Sequence, residues 1–368
     1  MKLNYRNKSL SHKLLFPIFI LSLFLLFTFG SCKSPTAPKP NNPLDTTSSN
    51  FTFQAFTFGN TSAGSSYLND VAIINDTDIW VVGAIYLTDS TGQPDPFPYN
   101  AVHWDGKMWQ QLKIAVQTNN GKVISPFYGI FAFSSNDIWI SSGVPIHGDG
   151  ETWTQYNLFG MGVLSQNDGY LTKIYGTSSS NIYFVGTKGT IAFYNGIWQK
   201  VESRTTLPIQ NIFGNIDLHG LQQILCVASD KYTNEGMKLL QIQNNTVTVL
   251  PDSSLPWSLS SVWFTADGKY YIAGDGLFES SSLNSTWTKV YGLPQIYTDD
   301  ISGQNYNDIL VSGSNGTLSH FNGIRWTNYI NNPLPYITGR LVSVNIKGNT
   351  IVAVGFSGDN AYIIMGKR

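Results

Sequence analysis

The chain has 368 residues, a net charge of −1 and 12% charged residues, while aromatic residues make up 14%. Typical soluble chains carry roughly 25% charged residues, so this one has no basic balance with which to hold a nucleic acid. Sparse charge with abundant Trp, Tyr and Phe points to many short β-strands, and the length, which alone allows two or three domains, is taken up by an internal repeat that builds one body.

The N-terminus reads as an address. Lys2, Arg6, Lys8 and Lys13 precede an apolar run, Leu14–Phe29, that ends at Gly30-Ser31-Cys32, the layout of a secretory signal. The ending Phe-Gly-Ser-Cys resembles the bacterial lipobox, with Phe29 where Leu is usual. That resemblance implies removal of residues 1–31, diacylation of Cys32 and attachment to a lipid bilayer, made stable by more than one acyl chain. Residues 32–50 carry Pro35, Pro38, Pro40 and Pro43 among Ser, Thr and Asn, and predict a semi-extended tether. Lys33 follows the Cys and the first acidic residue is Asp45, so there is no aspartate retention signal and the outer membrane is the expected location. With Cys32 used for lipid, Cys226 in QQILCVAS reads as a small buried hydrophobe.

From residue 51 to 368 one pattern recurs. A glycine closes a β-rich run at Gly83, Gly143, Gly186, Gly274, Gly313 and Gly355, at spacings of 60, 43, 88, 39 and 42 residues. The 88-residue gap is two periods, with Ala228-Ser229 standing where the missing glycine would be, so there are seven units. Each run (TDIWVV, NDIWIS, NIYFV, KYYIA, NDILVS, NTIVAV) has the alternation and branched or aromatic content of a strand. A third strand, an Asp-Gly or Asn-Gly turn and a Trp follow in AVHWDGKMW, IHGDGETW, TIAFYNGIW and TLSHFNGIRW; such dipeptides supply the positive φ of a tight hairpin. Trp109, Trp153, Trp198, Trp287 and Trp326 open the fourth strands and are expected to pack between units. Four strands in about 40–45 residues is the period of a propeller blade. The prediction is an all-β, seven-bladed β-propeller. Its last unit ends at AYIIM without a Trp strand, and the alternating segment Phe51–Phe58, FTFQAFTF, is expected to complete that blade and remove two open edges.

The string NDIW(V/I)xxG…HxDGxxW resembles repeats of bacterial secreted and lipoprotein propellers. Ser280–Trp287, SSSLNSTW, is similar to a degenerate Asp-box, with Ser282 for the Asp and Asn284 for the Gly. The wider likeness is to sortilin-like and photosystem-assembly-factor-like propellers, and it implies the fold alone, since such proteins include scaffolds, assembly factors and glycan-active enzymes.

Chemistry is sparse. His103, His147 and His320 occupy one repeat column and therefore read as blade structure; no metal ligand set or cofactor is expected. No F/Y-R-I-P string accompanies the few arginines, which argues against a sialidase, and phosphate loops and nucleophile elbows are absent from the sequence. The positions where units differ are the starts of the innermost strands, which face one mouth of the ring. There Tyr67, Asn69, Asp70, Tyr128, Tyr170, Lys173, Asn211, Tyr297, Asp299, Asp300 and Arg340 predict a polar site for a protein or glycan. The alternative is a glycan-active enzyme with Asp70, Asp299 or Asp300 as acid/base, in which Asp299 and Asp300, as neighbours on a strand, would face opposite ways. The first unit also carries an insert, assigned to Ala84–Asn100, expected to overhang the same mouth as a recognition arm. Taken together the sequence predicts a monomeric, lipid-anchored binding or scaffold module.

Overall fold

The computed structural model describes residues 46–118, 121–230, 233, 236–334 and 336–368; the segment expected to be a signal, Cys32 and the expected tether up to residue 45 lie outside the described residues. Seven four-stranded antiparallel sheets are present, formed by residues 67–112, 129–155, 171–201, 209–250, 259–289, 298–328 and 340–367 with 52–58, which we number as blades one to seven.

The second strand of each blade is covered on both sides by neighbouring blades, so it reads as a nearly continuous apolar run: in blade one every residue from Ile79 to Ile85 is buried. The core consists of seven apolar clusters, each shared between two adjacent blades. The predicted tryptophans sit in these seams. Trp153 of blade two meets Trp80 of blade one edge-on at 5.9 Å, Trp198 meets Trp139 at 6.1 Å, and Trp109 meets Phe56 of the closing strand at 6.1 Å. Cys226 is fully buried, and burial pushes its thiol pKa up.

The histidine column is structural. His103 Nε2 donates to Asp78 Oδ1 at 2.8 Å and His147 Nε2 to Asp137 Oδ1 at 2.9 Å. Trp80 and Trp139 stack on these rings at 4.3 and 4.1 Å. Each aspartate also accepts a hydroxyl of the next blade, from Ser135 and Ser179 respectively, so one short network joins two strands of a blade to its neighbour. The aspartate of the NDIW string is thus the partner of the histidine some 10–25 residues later.

Thr52–Phe58 pairs with Asn360–Lys367 over seven residues, from Thr52 opposite Lys367 to Phe58 opposite Ala361, and closes blade seven as predicted. Ordered contacts begin before it. Thr47 Oγ1 donates to Asn307 O, the Tyr329 hydroxyl donates to Ser49 O at 2.8 Å, and Phe51 packs edge-on to His320 at 5.4 Å. His320 Nε2 donates to Asp308 at 2.8 Å, which leaves Nδ1 to accept from Ser49 Oγ at 2.9 Å. Arg368 grips both oxygens of Asp308 at 2.8 and 2.6 Å. In blade six, to which Asp308 and His320 belong, the hydrogen-bonding support that elsewhere comes from the next blade is supplied by the two ends of the propeller.

The first-blade insert is divided between two places. Strands Asp78–Ile85 and Tyr99–Trp104 flank a loop, 86–98, held by the Thr88–Pro94 bridge and by the Asp95–Lys113 ion pair. The rest of the excess is a small hairpin, Val116–Thr118 with Gly121–Val123, between blades one and two. A glycine-to-glycine spacing spans four strands and cannot place an insertion within them.

Two outcomes follow. Phe51→Ala removes a ring that is 7% exposed and should lower stability by about 3 kcal/mol, whereas deletion of 51–58 should lower the melting temperature sharply and cost solubility; an unchanged melt would overturn the closure. Burial raises the Asp308 carboxyl, but His320 and Arg368 outweigh it and hold it at about 2. A depressed carboxyl contributes fully above its unfolded value of about 3.9 and loses that contribution as pH falls through the folded one. The melting-temperature gap between the native chain and Asp308→Asn should therefore be flat near neutrality and shrink between about pH 4 and pH 2.

Candidate functional site

The innermost strands share one irregularity. In six blades the register between first and second strand slips by one residue, at Leu68/Asp70, Leu171/Lys173, Ile209/Asn211, Leu259/Ser261, Thr298/Asp300 and Leu341/Ser343. Each slip is a bulge, and a bulge re-aims the residue it leaves unpaired. The skipped residues are Asn69, Thr172, Gln210, Ser260, Asp299 and Val342. Blade two contributes Tyr128, the residue before its first strand.

The repeat glycine belongs to this bulge. A Cβ built on Gly83, Gly186, Gly274, Gly313 or Gly355 would lie 1.9–2.3 Å from the carbonyl oxygen of Tyr67, Tyr170, Ser258, Tyr297 or Arg340. The chain entering the inner strand rests directly on the glycine backbone, and no side chain fits between them.

Six of the seven ring residues, all but Ser260, line a cavity of about 600 Å³ at the mouth of the ring, together with Lys173, Thr187, Asp230 and Arg340. Five of the eleven predicted residues are therefore brought together: Asn69, Tyr128, Lys173, Asp299 and Arg340. Gln210, which stands beside Asn211 at the same inner-strand entry, also lines the cavity, as do Thr172 and Val342, whose signal is that they hold the column occupied by Asn69 and Asp299 in blades one and six. None of the residues in Ala84–Asn100 reaches this wall, and the loop packs instead on residues 59–66 through Asn60 N–H to Tyr86 O at 3.0 Å.

The other predicted residues stand behind or beside the cavity. Tyr67 is half-buried, and burial with the nearby Tyr86 and Tyr128 pushes its hydroxyl up to about 12. Tyr170 lies exposed over Gly143 of blade two. Asn211 pairs with Val227 in its sheet, and Tyr297 lies under Arg340, 5.2 Å from guanidinium to ring centre, with its hydroxyl 3.0 Å from Ser258 Oγ.

Asp70 and Asp300 are inter-blade ties. Asp70 accepts Ser343 Oγ of blade seven at 2.8 Å and Ile130 N–H of blade two at 3.3 Å, and pairs with Lys173 of blade three at 3.0 Å. Asp300 accepts Ser261 Oγ of blade five at 2.6 Å and Val344 N–H of blade seven at 3.0 Å. Burial pushes the Asp300 carboxyl up, against the pull of Lys173 and these hydrogen bonds. Asp299, one residue away, faces the cavity instead and is held by Arg340 Nε at 3.0 Å and by Nη2. The opposite facing of this pair is as the sequence predicts. Asp70 and Asp300 thus serve the ring seams, while Asp299 is ion-paired.

What the cavity offers is a set of unlike hydrogen-bonding groups, one half-exposed tyrosine and two cations more exposed than their acids. The Arg340 side chain is 35% exposed against 3% for Asp299, and Lys173 21% against 14% for Asp70. A ligand would meet the guanidinium edge and the ammonium before either carboxylate.

No family model and no curated protein sequence matches the chain. Among solved structures, one described as YCF48 bound to D1 peptide superposes with a TM-score of 0.60 at 15% identity, over 86% of this chain and 97% of that one. YCF48 from Cyanidioschyzon merolae gives 0.56 at 16% identity, covering 85% and 98%. The WD40 propeller domain of Doa1 gives 0.59 at 14%, covering 85% and 97%. The chain is a seven-bladed β-propeller. At these identities the likeness carries the fold and nothing finer.

Lys173→Met strands the Asp70 carboxylate in the inner ring and should cost about 1–3 kcal/mol in denaturant unfolding. Asp70→Asn added to that variant should restore part of the loss; two additive losses would show that the pair does not tie the blades.

Proposed function

We propose that this protein is a binding module of the bacterial envelope that holds a protein segment in the mouth of its propeller without chemical turnover. The observation that carries this reading is the variety at the mouth: five blades supply five different bulge-aimed side chains and blade two supplies Tyr128, all to one cavity, whereas a purely structural column would repeat, as the histidines do. Peptides are recognised by such sets of backbone-directed polar groups with a cation to receive an acidic or terminal group. A propeller of the same fold, YCF48, has been solved with a D1 peptide, which makes a peptide the favoured ligand here over a glycan.

Binding without turnover is favoured because the carboxylates expected to do acid/base work are committed elsewhere. Asp70 and Asp300 join blades and Asp299 is bonded to Arg340, and a general acid or base must be within reach of a reacting proton. The module is read as monomeric and as anchored through acylated Cys32, on the outer membrane, from the sequence before residue 50.

A photo-reactive amino acid placed at Tyr128 in cells should give adducts that contain peptide, and Arg340→Ala should reduce them. Adducts made only of saccharide, or none at all, would count against a peptide. Turnover of a polysaccharide panel that disappears in Asp299→Asn would replace this reading with the enzymatic one.

A further inference from the structure

The two faces of the ring differ in which apolar groups they expose. Exposed groups on the cavity side are mostly aromatic, such as Tyr128, Tyr170 and Trp257. On the opposite side, where first strands turn into second and third into fourth, six aliphatic side chains project from turns or strand ends: Met108, Ile197, Ile216, Leu218, Leu221 and Ile324, each 53–75% exposed. Such tips ordinarily carry Asn, Asp, Gly or Ser. Ile197 and Ile324 follow the Asn-Gly dipeptides directly, and Leu218 and Leu221 flank the His219-Gly220 turn of the irregular fourth blade. The exposed Lys107 and Arg325 stand next to Met108 and Ile324, which is the pairing of aliphatic tip and basic stem that suits a headgroup boundary.

The chain also joins the body on this face. Thr47 bonds to Asn307 in a first-to-second turn and to Asn322 in a third-to-fourth turn, two residues from Ile324. Only the thirteen residues Lys33–Asp45 separate Cys32 from the described body, a reach of at most about 45 Å when fully extended.

We propose that this aliphatic face docks on the lipid bilayer to which Cys32 is attached, so that the cavity opens away from the membrane. The proposal rests on the reading of Cys32 as the acylated anchor and is independent of what the cavity holds. Aliphatic tips on several blades give a lipid contact with no need for charge, and a short tether keeps that contact in range at high effective concentration.

The test uses the acylated chain in phosphatidylcholine vesicles, carrying an environment-sensitive label at Ile197→Cys, Leu218→Cys or, on the cavity side, Trp257→Cys. Quencher-bearing lipids should dim the label at the first two positions and leave the third unchanged, and Leu221→Asp should weaken quenching at 197. Equal quenching at all three positions, or at none, would overturn the proposal. So would protection of positions 197 and 218 that appears with rising protein concentration in the absence of vesicles, which would identify a second copy as the occupant. The mass of the purified chain reports acylation separately, so a missing anchor is told apart from a missing contact, and neither result bears on cross-linking at Tyr128.

Discussion

The contact between a carbonyl oxygen and a glycine backbone sets the geometry of this ring. Where the chain descends into an inner strand, its last outer carbonyl lies against the glycine that ends the second strand, within the space any Cβ would fill. The inner strand meets its partner one residue out of step, and the unpaired residue turns toward the axis. Everything at the mouth follows from that offset. In five blades the skipped residue lines the cavity, and in blades one and six the next residue, Asp70 or Asp300, ties neighbouring blades together. In blade four Ala228 takes the glycine's place opposite Ile209 with the bulge retained, so the offset itself survives the loss of the glycine there.

The architecture was legible because it is written seven times. The glycines, the turn dipeptides and the Trp column each recur, and repetition turns weak local signals into a strong one. The closing strand was legible as well, since the last unit lacks a strand and Thr52–Phe58 alternates as one. The cavity was half legible for a specific reason. A bulge demands no particular residue in the skipped position, so nothing in the composition of Thr172 or Val342 announces it. Charge drew attention to the adjoining column as well, and there Asp70 and Asp300 tie neighbouring blades together. The histidines illustrate the reverse case. Their recurrence argued for structure, and their pairing with Asp78, Asp137 and Asp308 supplies the reason.

Function in a repeat protein lies where copies stop resembling one another. The seams of this ring are built from a small vocabulary: hydroxyl to carboxylate, indole on imidazole, indole on indole. The mouth uses a different side chain in each blade, and that contrast, more than any single residue, separates packing from recognition. Blade six departs from the vocabulary because its neighbour is completed from both ends of the propeller. Ser49 and Arg368 bond the His320–Asp308 pair there, where elsewhere the next blade's serine bonds the aspartate, and Phe51 packs on the imidazole in place of the blade's own indole.

Thr52–Phe58 is also the segment through which any pull on the preceding residues enters the body. The strand runs with Thr52 toward the face where the chain arrives and pairs along its whole length with the strand ending at Lys367. A force directed away from that face acts along the strand axis and loads the entire ladder of backbone hydrogen bonds at once, in shear. Only a force across the strand would open the same ladder one bond at a time. A closing strand that comes from the N-terminal side thus makes the weakest topological point of a ring, its seam, mechanically strong against a pull along the strand axis.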